Sequence, residues 1–318
     1  MNQIQTALSS LAIGEPQAFA NMTLFPLLAS HCEAPDYLVL DDALKSEVGR
    51  ITEISAGGSV PELAFENNAE RRVLLVDGEQ LIGARQNRVL NISILVPAGR
   101  KLTIPVSCCE RGRWSYTSSR HFTSSDSSLF SSSRAKKMMQ VSDSMQVRGD
   151  HRSDQGQIWN DIAMKSASLG VRSGTGAMSD VYEQHRQRLD DYVGAFKVVP
   201  NQCGAVVTLD GKVAGLELFD APDTFARFFG KMLRGFALDA IDVKAPMLAA
   251  PAAAIARDFI ERLMASSAQT FAALGDGEDV RLKGFDVVAG ALVADGRVRH
   301  MAGFRTDGLD ESPGSCGI

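Results

Sequence analysis

The densest cluster of functional side chains is the string Asp77-Gly78-Glu79-Gln80-Leu81-Ile82-Gly83-Ala84-Arg85-Gln86-Asn87-Arg88, set in an otherwise apolar region. On an extended backbone Asp77 and Glu79 project to one face, and Gln86 and Arg88 do likewise. Carboxylate, amide and guanidinium together offer acceptors and donors, the mix that holds a ribose, another sugar or an amide. In that reading Glu79, with Asp77 beside it, accepts hydroxyls or acts as a catalytic base, while Gln86, Asn87 and Arg88 fix the ligand. The two carboxylates could instead hold Mg²⁺ or Ca²⁺ in a divalent-metal-dependent hydrolase. The plainer alternative is a solvated hairpin, an Asp-Gly turn followed by a polar edge strand.

Three further clusters could join such a site. Arg172-Ser173-Gly174-Thr175-Gly176 precedes a helix that Ser179 can cap. There Gly174 and Gly176 can expose backbone N–H groups to an anion and Arg172 can clamp it, although a simple helix connector has the same composition. Glu110-Arg111-Gly112-Arg113-Trp114-Ser115-Tyr116 puts Arg113 beside Trp114, a pair able to meet a diphosphate and stack a base, or to form an ordinary domain edge. His151-Arg152-Ser153-Asp154-Gln155 opens a helix, where Asp154 is favoured by the dipole alone and Arg152 and Gln155 can reach a ligand. His185 lies on an apolar stripe and reads as a hydrogen-bonded core histidine. No H-E-x-x-H, G-x-S-x-G or His/Cys cluster occurs, which argues against a zinc enzyme or an α/β-hydrolase.

The elements that must position these residues follow from composition and pattern. The chain has 318 residues, is 45% hydrophobic and 22% charged, and carries a net charge of -5. That excludes a disordered chain and argues against a nucleic-acid partner, which wants a basic surface. No apolar run has membrane-spanning length, so no membrane association is expected. The five cysteines, Cys32, Cys108, Cys109, Cys203 and Cys316, form no C-x-x-C pair, and the first residues lack a signal-peptide pattern. Free thiols and a cytoplasmic location are the expectation.

The predicted fold class is α+β. Residues 1–114 read as a β-rich domain of antiparallel sandwich or barrel type, with strands at 23–28, 37–40, 50–54, 62–66, 72–76, 91–96 and 101–108 and a short helix at 42–48. Residues 115–150 are rich in Ser, with Arg120 and Arg134, and read as a mobile loop or linker. Residues 151–305 read as helices packed on antiparallel hairpins. A helix capped by Ser153 runs to 169, and one capped by Ser179 carries the stripe Tyr182, His185, Leu189, Tyr192 and Phe196. Hairpins turn at Asp210-Gly211 and Asp295-Gly296, and helices start near Asp220 or Asp223 and span 252–271. Residues 306–318 read as a frayed tail.

The string from Val73 to Arg88, with Ile94-Leu95-Val96-Pro97-Ala98-Gly99, Ile104-Pro105-Val106-Ser107-Cys108, Gly112-Arg113-Trp114 and Arg152-Ser153-Asp154-Gln155-Gly156 before Trp159, resembles a bacterial family. This is the ARG and rhodanese-phosphatase-superfamily-associated protein domain, a former domain of unknown function. Its name reflects neighbouring genes for ADP-ribosylglycohydrolases and rhodanese-like phosphatases. The resemblance covers nearly the whole chain. It implies a role in processing or sensing ADP-ribose or another NAD-derived nucleotide, with enzymes of those two types as partners; the polar clusters at the edges of both halves place the expected binding, with processing as a further step, in a cleft between them. It assigns no cofactor and no catalytic residue. A non-enzymatic scaffold or regulator of a partner enzyme is the competing reading, with the polar string as its contact surface.

Overall fold

The computed structural model describes every residue except 1, 32, 56, 117–120, 244–250 and 308–318. Cys32, Arg120, Cys316 and most of the expected tail lie outside the described residues. In chain order the elements begin α1 (Asn2–Ser9), β1 (Ala12–Ile13), β2 (Gln17–Phe19), β3 (Met22–Leu28), β4 (Tyr37–Val39), α2 (Leu40–Lys45), β5 (Gly49–Glu53) and β6 (Glu62–Asn67). Next come β7 (Arg72–Leu75), β8 (Glu79–Gly83), β9 (Arg88–Leu90), β10 (Ile94–Val96), β11 (Lys101–Cys108), β12 (Phe122–Ser128) and α3 (Ser131–Arg148). They continue with α4 (Gln155–Ser168), α5 (Met178–Gln184), α6 (Arg186–Ala195), β13 (Gln202–Leu209), β14 (Lys212–Phe219) and α7 (Pro222–Ala240). The last are α8 (Ala254–Met264), β15 (Ser267–Ala272), β16 (Glu278–Lys283), β17 (Val287–Ala294) and β18 (Arg297–Arg305).

The architecture is α+β, as the composition of elements predicted. A nine-stranded sheet runs β1-β3-β13-β14-β18-β17-β16-β15, with β2 added on β3. Its middle is the pair of expected hairpins. Asp210 and Asp295 take φ of 48° and 53° and the glycines after them 72° and 74°, as a two-residue type I′ turn requires. Residues along β17 separate onto two faces. Val288 and Leu292 pack with Phe225, Phe228, Met232 and Phe236 of α7, whose spacing makes one apolar stripe. Val287, Ala289 and Ala291 pack with Phe259 and Leu263 of α8 and with Ile4 and Leu8 of α1.

The second body is a half-barrel sheet, β12-β8-β9-β11-β6-β5, facing a three-stranded sheet, β10-β7-β4. Leu63, Leu81, Ile104 and Phe122 fill the space against Val73, Leu75, Ile94 and Val96. β3 pairs antiparallel with β13, so the nine-stranded sheet draws strands from both sides of the expected boundary at residue 114.

Several expectations are corrected. Residues 115–150 are neither linker nor loop beyond residue 121, because β12 pairs with β8 and α3 is an 18-residue helix. This segment builds a polar interior in place of an apolar one. Ser131 and Ser132 bond Asp239, Ser133 bonds Asp161, and Arg134 and Lys137 are buried as ion pairs. The helix after Ser153 is capped by Asp154, whose carboxylate accepts from the Gln157 N–H at 3.1 Å. The expected Ser179 helix breaks into α5 and α6 at His185, which is half-buried with a ring nitrogen 3.2 Å from the Leu169 carbonyl. The helix expected over 252–271 stops at Met264, and the chain turns at Ser266 into β15.

Candidate functional site

The Asp77-Gly78 pair is not a hairpin turn. β7 belongs to the three-stranded sheet and β8 to the half-barrel, so the dipeptide carries the chain from one sheet to the other. Only Gly78 has a positive φ, 81°, and a Cβ there would stand 2.6 Å from Arg134 Nε. The glycine lets the Arg134 side chain pass across the backbone.

Asp77 and Glu79 are buried and take different partners. Asp77 is ion-paired with Lys137 Nζ and, at 3.2 Å, with Arg134 Nη2, both on α3. Glu79 Oε2 accepts from the Val76 N–H at 2.9 Å, and Oε1 lies 2.8 Å from Lys231 Nζ on α7. Lys231 also reaches Asp41 at 2.6 Å and Ser124 Oγ at 2.7 Å. The expectation of one shared carboxylate face is therefore corrected: each carboxylate answers a separate buried cation. Among the described residues no three His, Cys, Asp or Glu side chains gather as a metal cage.

Burial alone would raise the Asp77 pKa, but Lys137 and Arg134 outweigh it and hold the carboxyl below its ordinary value. Burial pushes the Lys137 amine down to about 8, against the pull of Asp77. Below the ordinary value of 3.8 the unfolded chain binds more protons at Asp77 than the folded one. The Asp77 contribution is thus present above about pH 4 and lost as pH falls through the folded value. Urea midpoints measured on acidification should fall less steeply for Asp77→Asn than for the wild type, and parallel curves would contradict this.

The Asp77 network closes on itself. Arg134 Nη1 is paired with Glu217 Oε1 on β14. Glu217 Oε2 lies 2.8 Å from His300 Nε2 on β18, and His300 Nδ1 lies 2.7 Å from Ser93 Oγ. Ser93 Oγ in turn accepts the Asp77 N–H at 2.9 Å. Glu217 and His300 are fully buried, whereas Ser93 is half-buried and lines a small cavity with Met138, Asp279, Arg281 and Gly290.

A second centre gathers the other end of the polar string. Arg88 is fully buried on β9, between Leu81 of β8 and Cys108 of β11. Its guanidinium lies 5.6 Å from the ring centre of Trp114, which is 41% exposed. Arg88 Nη1 donates to the Asn87 carbonyl at 3.3 Å, while Nε and Nη2 have no acceptor. Burial lowers the Arg88 pKa. Glu53 Oε2, a close electrostatic neighbour of Arg88, is also buried without a donor, as is Gln86 Oε1. Arg85 lies over the rings of both Trp114 and Tyr116, at 5.6 and 4.6 Å.

The remaining predicted residues divide. Arg113 is spent on structure: it grips Glu110 through Nε at 2.9 Å and Nη2 at 2.6 Å, the Ala84 carbonyl at 2.7 Å and Asn87 Oδ1 at 3.2 Å. Gln155 clamps the Cys108 backbone, accepting from N–H at 2.7 Å and donating to the carbonyl at 2.8 Å. Asp154 is the helix cap already described. Arg152 is exposed and 3.6 Å from Asp150, away from these centres. Arg172, Gly174 and Gly176 are exposed, and the Ala177 and Met178 N–H groups at the start of α5 are taken by Ser173 Oγ and the Cys109 carbonyl, both at 2.9 Å. Those two N–H groups are therefore not open to an anion.

The ARG and Rhodanese-Phosphatase-superfamily-associated Protein domain, ARPP-1, matches residues 10–304. The chain belongs to the ARPP-1 family. The match spans all three sheets and both centres, so the ARPP-1 domain takes in both bodies and neither half alone. The family name associates ARPP-1 with ARG proteins and the rhodanese-phosphatase superfamily. Comparison with the curated proteins and with the solved structures finds no match. Among the described residues no helix of this ARPP-1 chain is long and apolar enough to cross a membrane.

Sequence reasoning missed Glu53, Ser93, Arg134, Lys137, Glu217, Lys231 and His300. Only α3 carried a usable signal. Arg134-Ala135-Lys136-Lys137 sits in a serine-rich run with Met138, Val141 and Met145 at helical spacing. The others lie singly, Ser93 in the connection before β10 and the rest on strands or helices, with no local pattern around them.

Proposed function

We propose that this ARPP-1 chain binds an ADP-ribose-like or other NAD-derived nucleotide at the mouth of the half-barrel. The observation that carries the reading is Arg88, fully buried beneath the half-exposed Trp114 with two N–H donors unanswered. An unanswered buried donor costs roughly 1–3 kcal/mol, a cost that a guest acceptor removes. A phosphate oxygen suits the guanidinium, a ribose hydroxyl suits Glu53 Oε2, and a base suits the half-exposed ring of Trp114. Trp114 must tilt for the phosphate to reach the guanidinium edge. The association of the family with ARG proteins supports a ligand of this class.

Calorimetric titration with ADP-ribose and with NAD tests the reading. Binding is expected for at least one, weakened about 10- to 100-fold by Arg88→Lys and about 10-fold by Trp114→Ala. Arg152→Ala and Arg172→Ala should leave it unchanged. No heat at millimolar ligand, or binding indifferent to Arg88, would overturn the proposal.

A further inference from the structure

The Ser93, His300 and Glu217 side chains form a hydrogen-bonded chain whose polarity can be deduced. Glu217 is held by Arg134 at one oxygen and faces His300 Nε2 with the other. A carboxylate so paired only accepts, so Nε2 carries a proton, and in the neutral ring, the form a general base needs, Nδ1 is the free acceptor. The Ser93 hydroxyl must therefore donate to Nδ1 across 2.7 Å. The Asp77 N–H takes one Ser93 lone pair, at 2.9 Å, and the other remains. Ser93 is also the member of the three that lines a cavity.

We infer that Ser93 is a nucleophile, with His300 as its general base and Glu217 as the group that orients His300 and stabilises its charge. Hydroxyl, imidazole and carboxylate in this order are what acyl transfer requires, whatever the fold and the order along the chain. The absence of G-x-S-x-G does not bear on it, because the nucleophile stands just before β10 and the base on the last strand. The site is distinct from the Arg88 centre and does not depend on the nucleotide reading.

The surroundings define the substrate class. The cavity at Ser93 has a volume of about 10 Å³, room for one water, so an ester or a fluorophosphate reaches Ser93 only as the Arg281–Asp279 pair in its wall, 2.6 Å long, moves aside. Arg281 lines this cavity and also a groove of about 580 Å³ on the outer side, with Ser142, Asp143, Gln269 and Lys283. With that wall displaced, an ester with a short acyl group and a polar alcohol would place the acyl carbon at Ser93 and the alcohol in the groove. Ser93 Oγ bonds to the acyl carbon as His300 Nδ1 takes its proton. The ester C–O bond breaks, and the alkoxide leaves with the proton from His300. Water then adds to the acyl-serine, His300 takes its proton and returns it to Ser93, and the carboxylic acid departs.

The test is modification of the full chain by diisopropyl fluorophosphate. Ser93 Oγ would bond to phosphorus and fluoride would leave, the serine proton passing to His300. One adduct is expected, mapped to Ser93 by mass spectrometry. Ser93→Ala should abolish it, and His300→Gln should slow it by about 100-fold or more. Arg281→Ala, which widens the way in, should react at least as fast as the wild type. Release of 4-nitrophenol from 4-nitrophenyl acetate, lost in Ser93→Ala, is expected in parallel. If wild type and Arg281→Ala, both folded by circular dichroism, carry no adduct on Ser93, the nucleophile assignment is overturned. Labelling of His300→Gln at the wild-type rate would overturn the role of His300. Labelling without release of 4-nitrophenol would overturn the ester class.

Discussion

Arg134→Met should lower the unfolding free energy by about 3–5 kcal/mol, a large share of what holds a domain folded. Methionine keeps the length and the apolar stem of the side chain. It removes the charge that faces both Glu217 and Asp77, two carboxylates with almost no exposure. Lys137 remains for Asp77, but Glu217 is left with His300 alone. A buried carboxylate without its cation carries a desolvation cost that its remaining hydrogen bond does not offset. Urea denaturation followed by circular dichroism measures the loss. Arg186→Met is the control: its pairs with Glu183 and Asp126 are half-exposed, and exposed pairs contribute about 0–1 kcal/mol. A loss below that control would show that the Arg134 network is energetically idle.

Lys231→Met should cost a similar 3–5 kcal/mol, roughly, because it strands Glu79 in the same way. The pair ties the first residue of β8 to the middle of α7 and so joins the half-barrel to the helix on the large sheet. The double variant Glu79→Gln/Lys231→Met removes both charges and should recover much of the loss, giving a coupling of at least about 1 kcal/mol in a double-mutant cycle. Additive losses would mean that the two side chains do not act as a pair.

Where an instruction is local it was readable. Asp210-Gly211 and Asp295-Gly296 sit between alternating runs of matching length, and both are tight hairpin turns. Asp77-Gly78 looks the same over four residues and does something else, because β7 and β8 find partners in different sheets. The α7 stripe was legible from its phenylalanines. α3 was not, since its inward face is serine, arginine and lysine, and a polar stripe reads as solvated unless its counter-ions are known. Those counter-ions, Asp77, Asp161, Glu217 and Asp239, lie between 25 and 108 positions away. Arg88 and Trp114 were named as site residues and do meet, whereas Arg152 and Arg172, chosen by charge alone, stay in solvent. Ser93 and His300 are 207 positions apart, and nothing next to either one announces the other.

The pairing of β3 with β13 has a cost during synthesis. Thr23 meets Thr208 across 185 residues, so the apolar segment Met22–Leu28 leaves the ribosome long before its neighbour is translated. Until residue 209 emerges, β3 lacks its main partner, and β14 waits further for β18. Contacts of such sequence separation fold slowly and leave nascent strands open to self-association. Slow translation, premature stops upstream of β13 or depletion of holdase chaperones should therefore drive this chain into inclusion bodies, while a circular permutant that brings 22–28 next to 202–209 should be relieved of that dependence.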